Sequence, residues 1–158
     1  MQANEIFEKL KAKYGDSIKE LNETVPSESY ILADSTNIFD ICHYLRDAEG
    51  MEFDYLSLLT AMDEKDNLGV VYHLYSLKNK HRVVLKTLVP KEKPELASVE
   101  TIWRSADWHE REAWDMMGVI FTGHHNLIRI LCCYDWEGFP LRKDYVQPDE
   151  YHGMPVPY

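Results

Sequence analysis

Three runs rich in valine, leucine and tyrosine, separated by short polar connections, place the strongest constraint on the fold. They extend from Phe53 to Met62, from Val70 to Leu77 and from Arg82 to Val89. Short polar connections are typical of antiparallel hairpins, because parallel strands need a much longer crossover. Both alternating sets of side chains in the middle run are partly apolar, which predicts a strand covered on both faces. The sequence therefore predicts an α+β fold, with an antiparallel sheet of three or four strands packed with helices.

Two helices and a short strand are predicted before these runs. Apolar residues at helical spacing predict a helix from Asn4 to Tyr14, capped by its first residue and ended by Gly15. A short strand is predicted from Ser29 to Ala33. The segment from Asp34 to Asn37 offers several capping side chains to a second helix, which we expect to stop near Gly50.

Two further helices and a strand are predicted after the runs. A short helix is expected near Val99 to Trp103, and a longer one from about Asp107 to Met117. Asp107 with Glu110 fits a capping box, and Gly118 fits a left-handed stop. Ile128 to Leu131 is expected to add a strand.

Charged residues on the longer helix predict two kinds of contact. Glu110 lies on a broad apolar face, where a carboxylate is costly unless it is paired. We expect it to be buried against a basic side chain, either Arg129 or Arg142. The alternative is a shifted helix that leaves Glu110 exposed. On the opposite side, Arg111 and Asp115 are spaced to pair at i,i+4.

Length and charge limit the class of protein. With 158 residues the chain is long enough for one domain with a hydrophobic core. Its formal net charge of −10 argues against DNA or RNA as the main partner. The longest stretch without a charged residue, Met116 to Ile128, is shorter than the roughly 20 apolar residues of a membrane span. The first residues lack the features of a signal peptide or a transit peptide.

Three cysteines, Cys42, Cys132 and Cys133, make no disulfide framework and favour a reducing compartment. With His124 and His125 the adjacent pair offers four soft ligands, so a stand-alone metalloenzyme is one alternative. Adjacent residues fit poorly around a single tetrahedral ion, and an iron–sulfur cluster needs four thiolates. The simpler interpretation is that Cys132 and Cys133 are small apolar residues at the end of a strand.

Residues 134–158 are predicted to form an extended arm beyond a domain of residues 1–133. Four prolines and two glycines among these 25 residues rule out a helix or a central strand. The arm is too aromatic to be disordered by composition, so we expect it to lie on a surface, most simply that of another chain. Its aromatic residues are Tyr134, Trp136, Phe139, Tyr145, Tyr151 and Tyr158.

The segment from Trp136 to Tyr145 is the most specific part of the arm. Gly138 and Pro140 impose a turn. The opposite charges from Arg142 to Asp144 predict a fixed cluster of ion pairs. Tryptophan, tyrosine and arginine are the residues that anchor protein interfaces. A loop that closes the domain on itself is the alternative, and both can hold at once.

With these motifs in view, the chain resembles the family of the C subunit of the respiratory NADH:quinone oxidoreductase, the proton-pumping complex I. The resemblance rests on EREAWDMMGVIFTGH from Glu110 to His124, LIRIL from Leu127 to Leu131, and DWEGFPLRKDY from Asp135 to Tyr145. It departs from the usual pattern at His125-Asn126 and at Val146. The residues it marks as family motif or interface are Glu110, Arg111, Glu112, Asp115, Gly118, Gly123, His124, Arg129, Asp135, Trp136, Gly138, Pro140, Leu141, Arg142, Lys143, Asp144 and Tyr145.

The resemblance implies a member of the peripheral arm that has no catalytic, cofactor-binding or metal-binding residue of its own. FMN, iron–sulfur clusters and quinone would lie in other subunits. The chain would form a hetero-oligomer with homologues of the D, B and I subunits, on the cytoplasmic face of a bacterial inner membrane, and would reach the membrane only through them. It would serve assembly and hold the subunits that pass electrons to quinone. The matching component of a membrane-bound hydrogenase or an F420-type dehydrogenase is an alternative.

Overall fold

A computed structural model describes residues 1–23 and 28–156 of the chain. Tyr158, the last aromatic residue of the predicted arm, lies outside the described residues. The helices are α1 (Ala3–Tyr14), α2 (Ile38–Asp47) and α3 (Ala106–Met117), with 3-10 turns at Gly15–Ser17 and Ser35–Asn37. The strands are β1 (Ile18–Asn22), β2 (Tyr30–Ala33), β3 (Tyr55–Glu64), β4 (Asn67–Ser76), β5 (His81–Pro90), β6 (Glu95–Ala97), β7 (Ile120–Thr122), β8 (Glu150–Tyr151) and β9 (Met154–Pro155).

The three predicted runs form β3, β4 and β5, which pair as neighbouring antiparallel strands. The α+β class is therefore confirmed. Within the described residues the main sheet has five strands in the order β1-β2-β5-β4-β3, one more than the upper expectation. The additional strand, β1, lies at an edge and carries few apolar residues, so its composition has no strand signal. β2 pairs with β5 in parallel, which is the one exception to the antiparallel pattern among the described pairs of this sheet.

The helices cover one face of this sheet. Val70, Tyr72 and Leu74 of β4 belong to the core on that side, and Tyr72 is completely buried. His73 and Tyr75 of β4 belong to the alternate set and are partly exposed. The prediction that β4 is covered on both faces therefore holds fully for the helical side and only in part for the other. The helical side chains that complete the core are Ile6, Leu10, Ile38, Ile41, Cys42, Leu45, Ala106, Ala113 and Met117.

The boundaries and caps of the first two helices differ in detail from the predicted ones. α1 begins at Ala3 behind Gln2, whose side chain makes no capping bond, so the predicted cap at Asn4 is wrong. Its end at Gly15 is confirmed, with a positive φ of 54°. Before α2, the carboxylate of Asp34 accepts the backbone N–H of Thr36 at 3.0 Å, as a capping residue does. α2 ends at Asp47, before the predicted stop near Gly50.

The predicted helix from Val99 to Trp103 is wrong. The backbone N–H groups of Ile102 and Trp103 both donate to the carbonyl of Val99, at 2.9 and 3.0 Å, which makes a turn rather than a helix. The indole Nε1 of Trp103 donates to the carbonyl of Phe53 at 2.9 Å and fixes this turn against the domain. The segment then enters α3.

The longer helix is confirmed as α3, and its left-handed stop at Gly118 has a φ of 76°. The capping box is wrong, because the N-cap is Ser105 without a side-chain bond and Glu110 turns toward another segment. The strand predicted from Ile128 to Leu131 is also wrong, since this segment has irregular backbone. None of the helices in the described residues is long and apolar enough to cross a membrane.

Candidate functional site

Helix α3 buries two carboxylates, Glu110 and Asp115, and neither side chain has measurable exposure. They are five positions apart, which places them about 140° apart around the helix. Each can therefore hold a different segment of the chain. Burial of Asp115 corrects the expectation that it lies on the exposed side of the helix.

Glu110 binds the segment that precedes the helix. Its Oε2 accepts the hydroxyl of Ser98 at 2.6 Å, and its Oε1 accepts the backbone N–H of Val99 at 2.7 Å. Burial of Glu110 is thus as predicted, but neither predicted arginine is its partner. Arg129 binds Asp115, and Arg142 binds a backbone carbonyl, so the predicted pairing of Glu110 with either arginine is wrong.

The environment of Glu110 explains why no cation is needed. Burial raises the pKa of Glu110 to about 7, against the lowering effect of the hydrogen bonds from Ser98 and Val99. The nearby carboxylates of Glu100 and Asp107 raise this pKa further. A carboxyl group that is largely protonated near neutral pH can be buried with neutral donors alone.

Asp115 binds the segment that follows β7. Its Oδ2 accepts the backbone N–H groups of Ile130, Leu131 and Cys132 at 3.0, 2.8 and 2.9 Å. Its Oδ1 accepts Nη1 of Arg129 at 2.6 Å. Burial alone would raise the pKa of Asp115, but these donors outweigh it and hold the pKa below the ordinary aspartate value. Asp115 is therefore a charged, fully paired anchor.

These contacts explain two wrong predictions. Arg111 does not pair with Asp115, because both oxygens of Asp115 already accept other donors. The Nε of Arg111 donates instead to the carbonyl of Ile128 at 3.2 Å. The residues predicted as a strand cannot form a ladder there, since their N–H groups converge on a single carboxylate oxygen. The adjacent cysteines consequently lie in a loop and not at the end of a strand.

Arg129 extends the anchor to the segment after Tyr134. Its Nη2 donates to the carbonyls of Trp136 and Gly138, at 2.7 and 3.0 Å. The guanidinium also lies 5.7 Å from the centre of the Phe139 ring. One arginine thereby joins α3 to the turn that Gly138 was predicted to make.

The end of α3 holds the next part of this segment. The Nε of Arg142 donates to the carbonyl of Met117 at 2.6 Å, and the backbone N–H of Leu141 donates to the carbonyl of Met116 at 3.1 Å. A cation at the C-terminus of a helix meets unpaired carbonyls and the negative end of the helix dipole. The cluster of ion pairs predicted from Arg142 to Asp144 is wrong, because these residues form no ion pair within residues 28–156.

Gly118 allows this close approach. A Cβ at Gly118 would lie 2.6 Å from Cε2 of Phe139 and 2.7 Å from Nη2 of Arg142. Its left-handed φ also disfavours any other residue. The glycine of the motif is therefore required both by the helix stop and by the packed segment.

The start of this segment lies against a short hairpin formed by β8 and β9. Asp135 accepts the hydroxyl of Tyr151 at 2.6 Å and lies 2.7 Å from Nε2 of His152. The indole Nε1 of Trp136 donates to the hydroxyl of Tyr145 at 3.0 Å. The first part of the predicted arm thus contacts both its own domain, through Arg129 and Met117, and the end of the arm, while Tyr134 remains 92% exposed.

Most predicted motif residues meet around α3, although some do not join this network. Glu112, Gly123, Lys143 and Asp144 are exposed and lie outside it, whereas Leu141 is exposed but joins it through its backbone N–H. Of these, Lys143 donates its backbone N–H to Asp63 at 2.9 Å, and the buried Asp63 was not predicted. The other oxygen of the Asp63 carboxylate lies 2.7 Å from the amine of Lys91.

His124 and His125 lie beside carboxylates and not beside cysteines. The side chain of His124 is fully buried, and its Nε2 is 3.4 Å from Oδ1 of Asp107 and 3.5 Å from Oε2 of Glu100. Nδ1 of His125 is 2.6 Å from the same Glu100 oxygen. The zinc ligand set considered from the sequence is therefore not assembled, since the backbone of Cys132 is held at Asp115.

The sequence from residue 31 to residue 151 matches the family described as the 30 kDa subunit of respiratory-chain NADH dehydrogenase. A protein of Chlorobium phaeobacteroides, named as the C subunit of NADH-quinone oxidoreductase, is 40% identical, over 99% of this chain and 96% of its own length. The protein of that name from Chloroherpeton thalassium is 42% identical over 94% of this chain. The chain spans 63% of the length of that second relative.

Solved structures share the fold. The trypsin-resistant fragment of Nqo5 has a TM-score of 0.66 and 25% identity, covering 80% of this chain and 100% of the fragment. A chain of the membrane-bound sulfane sulfur reductase, an archaeal respiratory membrane complex, has a TM-score of 0.73 over 90% of this chain and 85% of its own. Its 23% identity shows a similarity of fold alone.

Proposed function

Because the chain belongs to the family of the 30 kDa subunit of respiratory-chain NADH dehydrogenase, we propose that it serves as the C subunit in the peripheral arm of an NADH-quinone oxidoreductase. Its contribution is positional: it docks on neighbouring subunits and fixes their relative placement. The reaction of the complex uses FMN, iron–sulfur clusters and quinone held by other subunits.

The observation that carries this proposal is the docking surface, which we define as the exposed apolar side chains of Ile128, Leu131, Tyr134 and Leu141. They follow one another along the segment that Asp115, Arg129 and the end of α3 hold in place. Single exposed apolar residues are common, but a series of them on one anchored segment is typical of an interaction surface.

The anchoring explains how such a surface could keep a precise geometry. The segment has no helix or strand between β7 and β8, yet its backbone is bonded to a buried carboxylate and to helix carbonyls. A pre-ordered surface loses little conformational entropy when it binds. A protein that sets distances between its neighbours needs that property.

The partners in this proposal are homologues of the D, B and I subunits, and the chain forms a hetero-oligomer with them. Its place is the cytoplasmic face of a bacterial inner membrane, reached through these partners. The family motif residues from Glu110 to Tyr145 act as anchors or contacts of the interface and not as catalytic groups. The complementary surface is expected to be largely apolar, since the exposed side chains of the docking surface are apolar.

Co-purification from native membranes tests the proposal. A tagged chain should bring with it other subunits of an NADH-quinone oxidoreductase, identified by mass spectrometry. Replacement of Leu131 by glutamine should reduce this co-purification, because Leu131 is 62% exposed on the docking surface. Leu77 is 61% exposed on the hairpin between β4 and β5, so Leu77→Gln is a matched control that should have no effect.

Two outcomes would contradict the proposal. One is recovery of the chain without any respiratory subunit. The other is equal loss of partners in both leucine variants, which would remove the special role of the docking surface. Recovery of hydrogenase or F420-dehydrogenase subunits instead would identify the related complex.

A further inference from the structure

We propose that Glu100, Asp107 and His125 form a binding site for a divalent transition-metal cation such as Zn²⁺, supported by His124. This site is separate from the docking surface, and it does not rest on the proposed function. It lies where the turn after β6, the start of α3 and the loop after β7 meet.

The first observation is an acceptor without a donor. Oδ1 of Asp107 is buried and has no hydrogen-bond partner among the described residues. It lies 3.4 Å from Nε2 of His124, within the same cluster as Glu100. A buried carboxylate oxygen left unpaired is costly, so a bound cation would remove a cost that the protein otherwise carries.

His124 cannot supply the missing donors alone. Its Nδ1 accepts the backbone N–H of Asn126 at 3.0 Å, which places the ring proton on Nε2. That single N–H faces the carbonyl of Asp107 at 3.2 Å, Oδ1 of Asp107 and Oε2 of Glu100, and it can satisfy only one of them well. His124 therefore acts as a neutral donor that orients the carboxylates, and it is not itself a ligand.

The side chain of His125 is exposed to solvent, whereas that of His124 is buried. His125 has 53% of its side chain exposed, and its Nδ1 points at Glu100 while its backbone N–H donates to the other oxygen of the same carboxylate at 3.0 Å. A cation at Nδ1 would move the ring proton to Nε2. Imidazole nitrogen with two carboxylates is a ligand set suited to zinc and similar ions.

The distances are compatible with a small ion. One ligand atom from each residue of this cluster lies within 4.8 Å of the others. Neighbouring ligands of tetrahedral zinc are separated by about 3.4 Å, so the pairwise adjustment is at most about 1.4 Å. The exposed ring of His125 can make much of that movement, and solvent can fill the remaining coordination position.

Calorimetric titration of the full chain with Zn²⁺, after removal of metals by a chelator, tests the site. We expect saturable binding of one Zn²⁺ per chain, and a rise in the thermal unfolding temperature when Zn²⁺ is present. The variants His125→Ala and Asp107→Asn should each weaken binding at least about tenfold. Because His125 is exposed, its variant should fold normally.

The matched control is His43→Ala. His43 is 51% exposed and lies 3.4 Å from a carboxylate oxygen of Asp47, so it offers a similar surface pair outside the cluster. This variant should bind Zn²⁺ as the wild type does. Absence of binding by the wild type would overturn the proposal. So would binding that His125→Ala and Asp107→Asn leave unchanged, or that His43→Ala weakens equally.

Discussion

Replacement of Glu110 by glutamine should change how the stability of the protein depends on pH. The pKa of Glu110 is raised by burial from the ordinary value of 4.5 to about 7. The folded protein therefore holds this proton more tightly than the unfolded chain does. As a result, the contribution of Glu110 to stability is complete below about pH 4.5 and is lost as the pH rises through about 7.

The magnitude follows from the two pKa values of Glu110. Each pH unit between them changes the free energy of unfolding by up to about 1.4 kcal/mol. Integrated from about pH 5.5 to about pH 8, the wild type should lose about 2 kcal/mol through Glu110. Glutamine does not titrate, so the Glu110→Gln variant should lack this component while keeping an acceptor for the N–H of Val99.

Urea unfolding at both pH values, with a chelator present, measures the effect. The quantity to compare is the change in free energy of unfolding between the two pH values, in the wild type and in the variant. Glu112→Gln, an exposed substitution on the same helix, is the control and should behave as the wild type does. If Glu110 were paired with an arginine, its pKa would be lowered and its ionised form would stabilise the fold at high pH. A wild type that loses no more stability than the variant would refute the reasoning.

Three other substitutions or conditions test the anchors around α3. Asp115→Ala should destabilise the protein by about 3 to 5 kcal/mol in urea unfolding, because Arg129 and three backbone N–H groups lose their acceptor; a loss below about 1 kcal/mol would contradict the anchor. Acidification should remove the contribution of Asp115 to the free energy of unfolding, because the pKa of Asp115 is lowered in the folded protein. That contribution disappears as the pH falls below the ordinary aspartate value near 3.8. Gly118→Ala should lower the thermal unfolding temperature through left-handed strain of about 1 kcal/mol and a clash with Phe139, and an unchanged temperature would contradict the packing described.

The sheet could be predicted because its signals are local. β3, β4 and β5 are consecutive runs of β-prone residues, and their polar connections are short enough to imply antiparallel pairing. The stop of α3 at Gly118 was equally local. By contrast, β2 is separated from its partner β5 by a long stretch of chain, and their parallel pairing has no signature in neighbouring residues.

The partners of the buried charges could not be predicted for a different reason. Helical periodicity correctly buried Glu110, but the expectation of a basic partner assumed that the carboxyl group stays ionised. A hydroxyl and a backbone N–H hold it instead, and backbone donors leave no mark in a sequence. The same limitation applies to Asp115, because two of its three backbone N–H donors, Ile130 and Leu131, belong to the segment that was predicted as a strand.

The two carboxylates of α3 have opposite protonation behaviour because the donors around them differ in number and charge. Asp115 meets a guanidinium and three N–H groups, so the ionised form is favoured despite burial. Glu110 meets two neutral donors and lies near other acids, so its proton is retained up to about neutral pH. A charged anchor holds its segment over the whole physiological range, whereas a titrating one does not. The segment that carries the docking surface is fixed by the charged anchor, and the proposed role of positioning other subunits would benefit from this independence of pH.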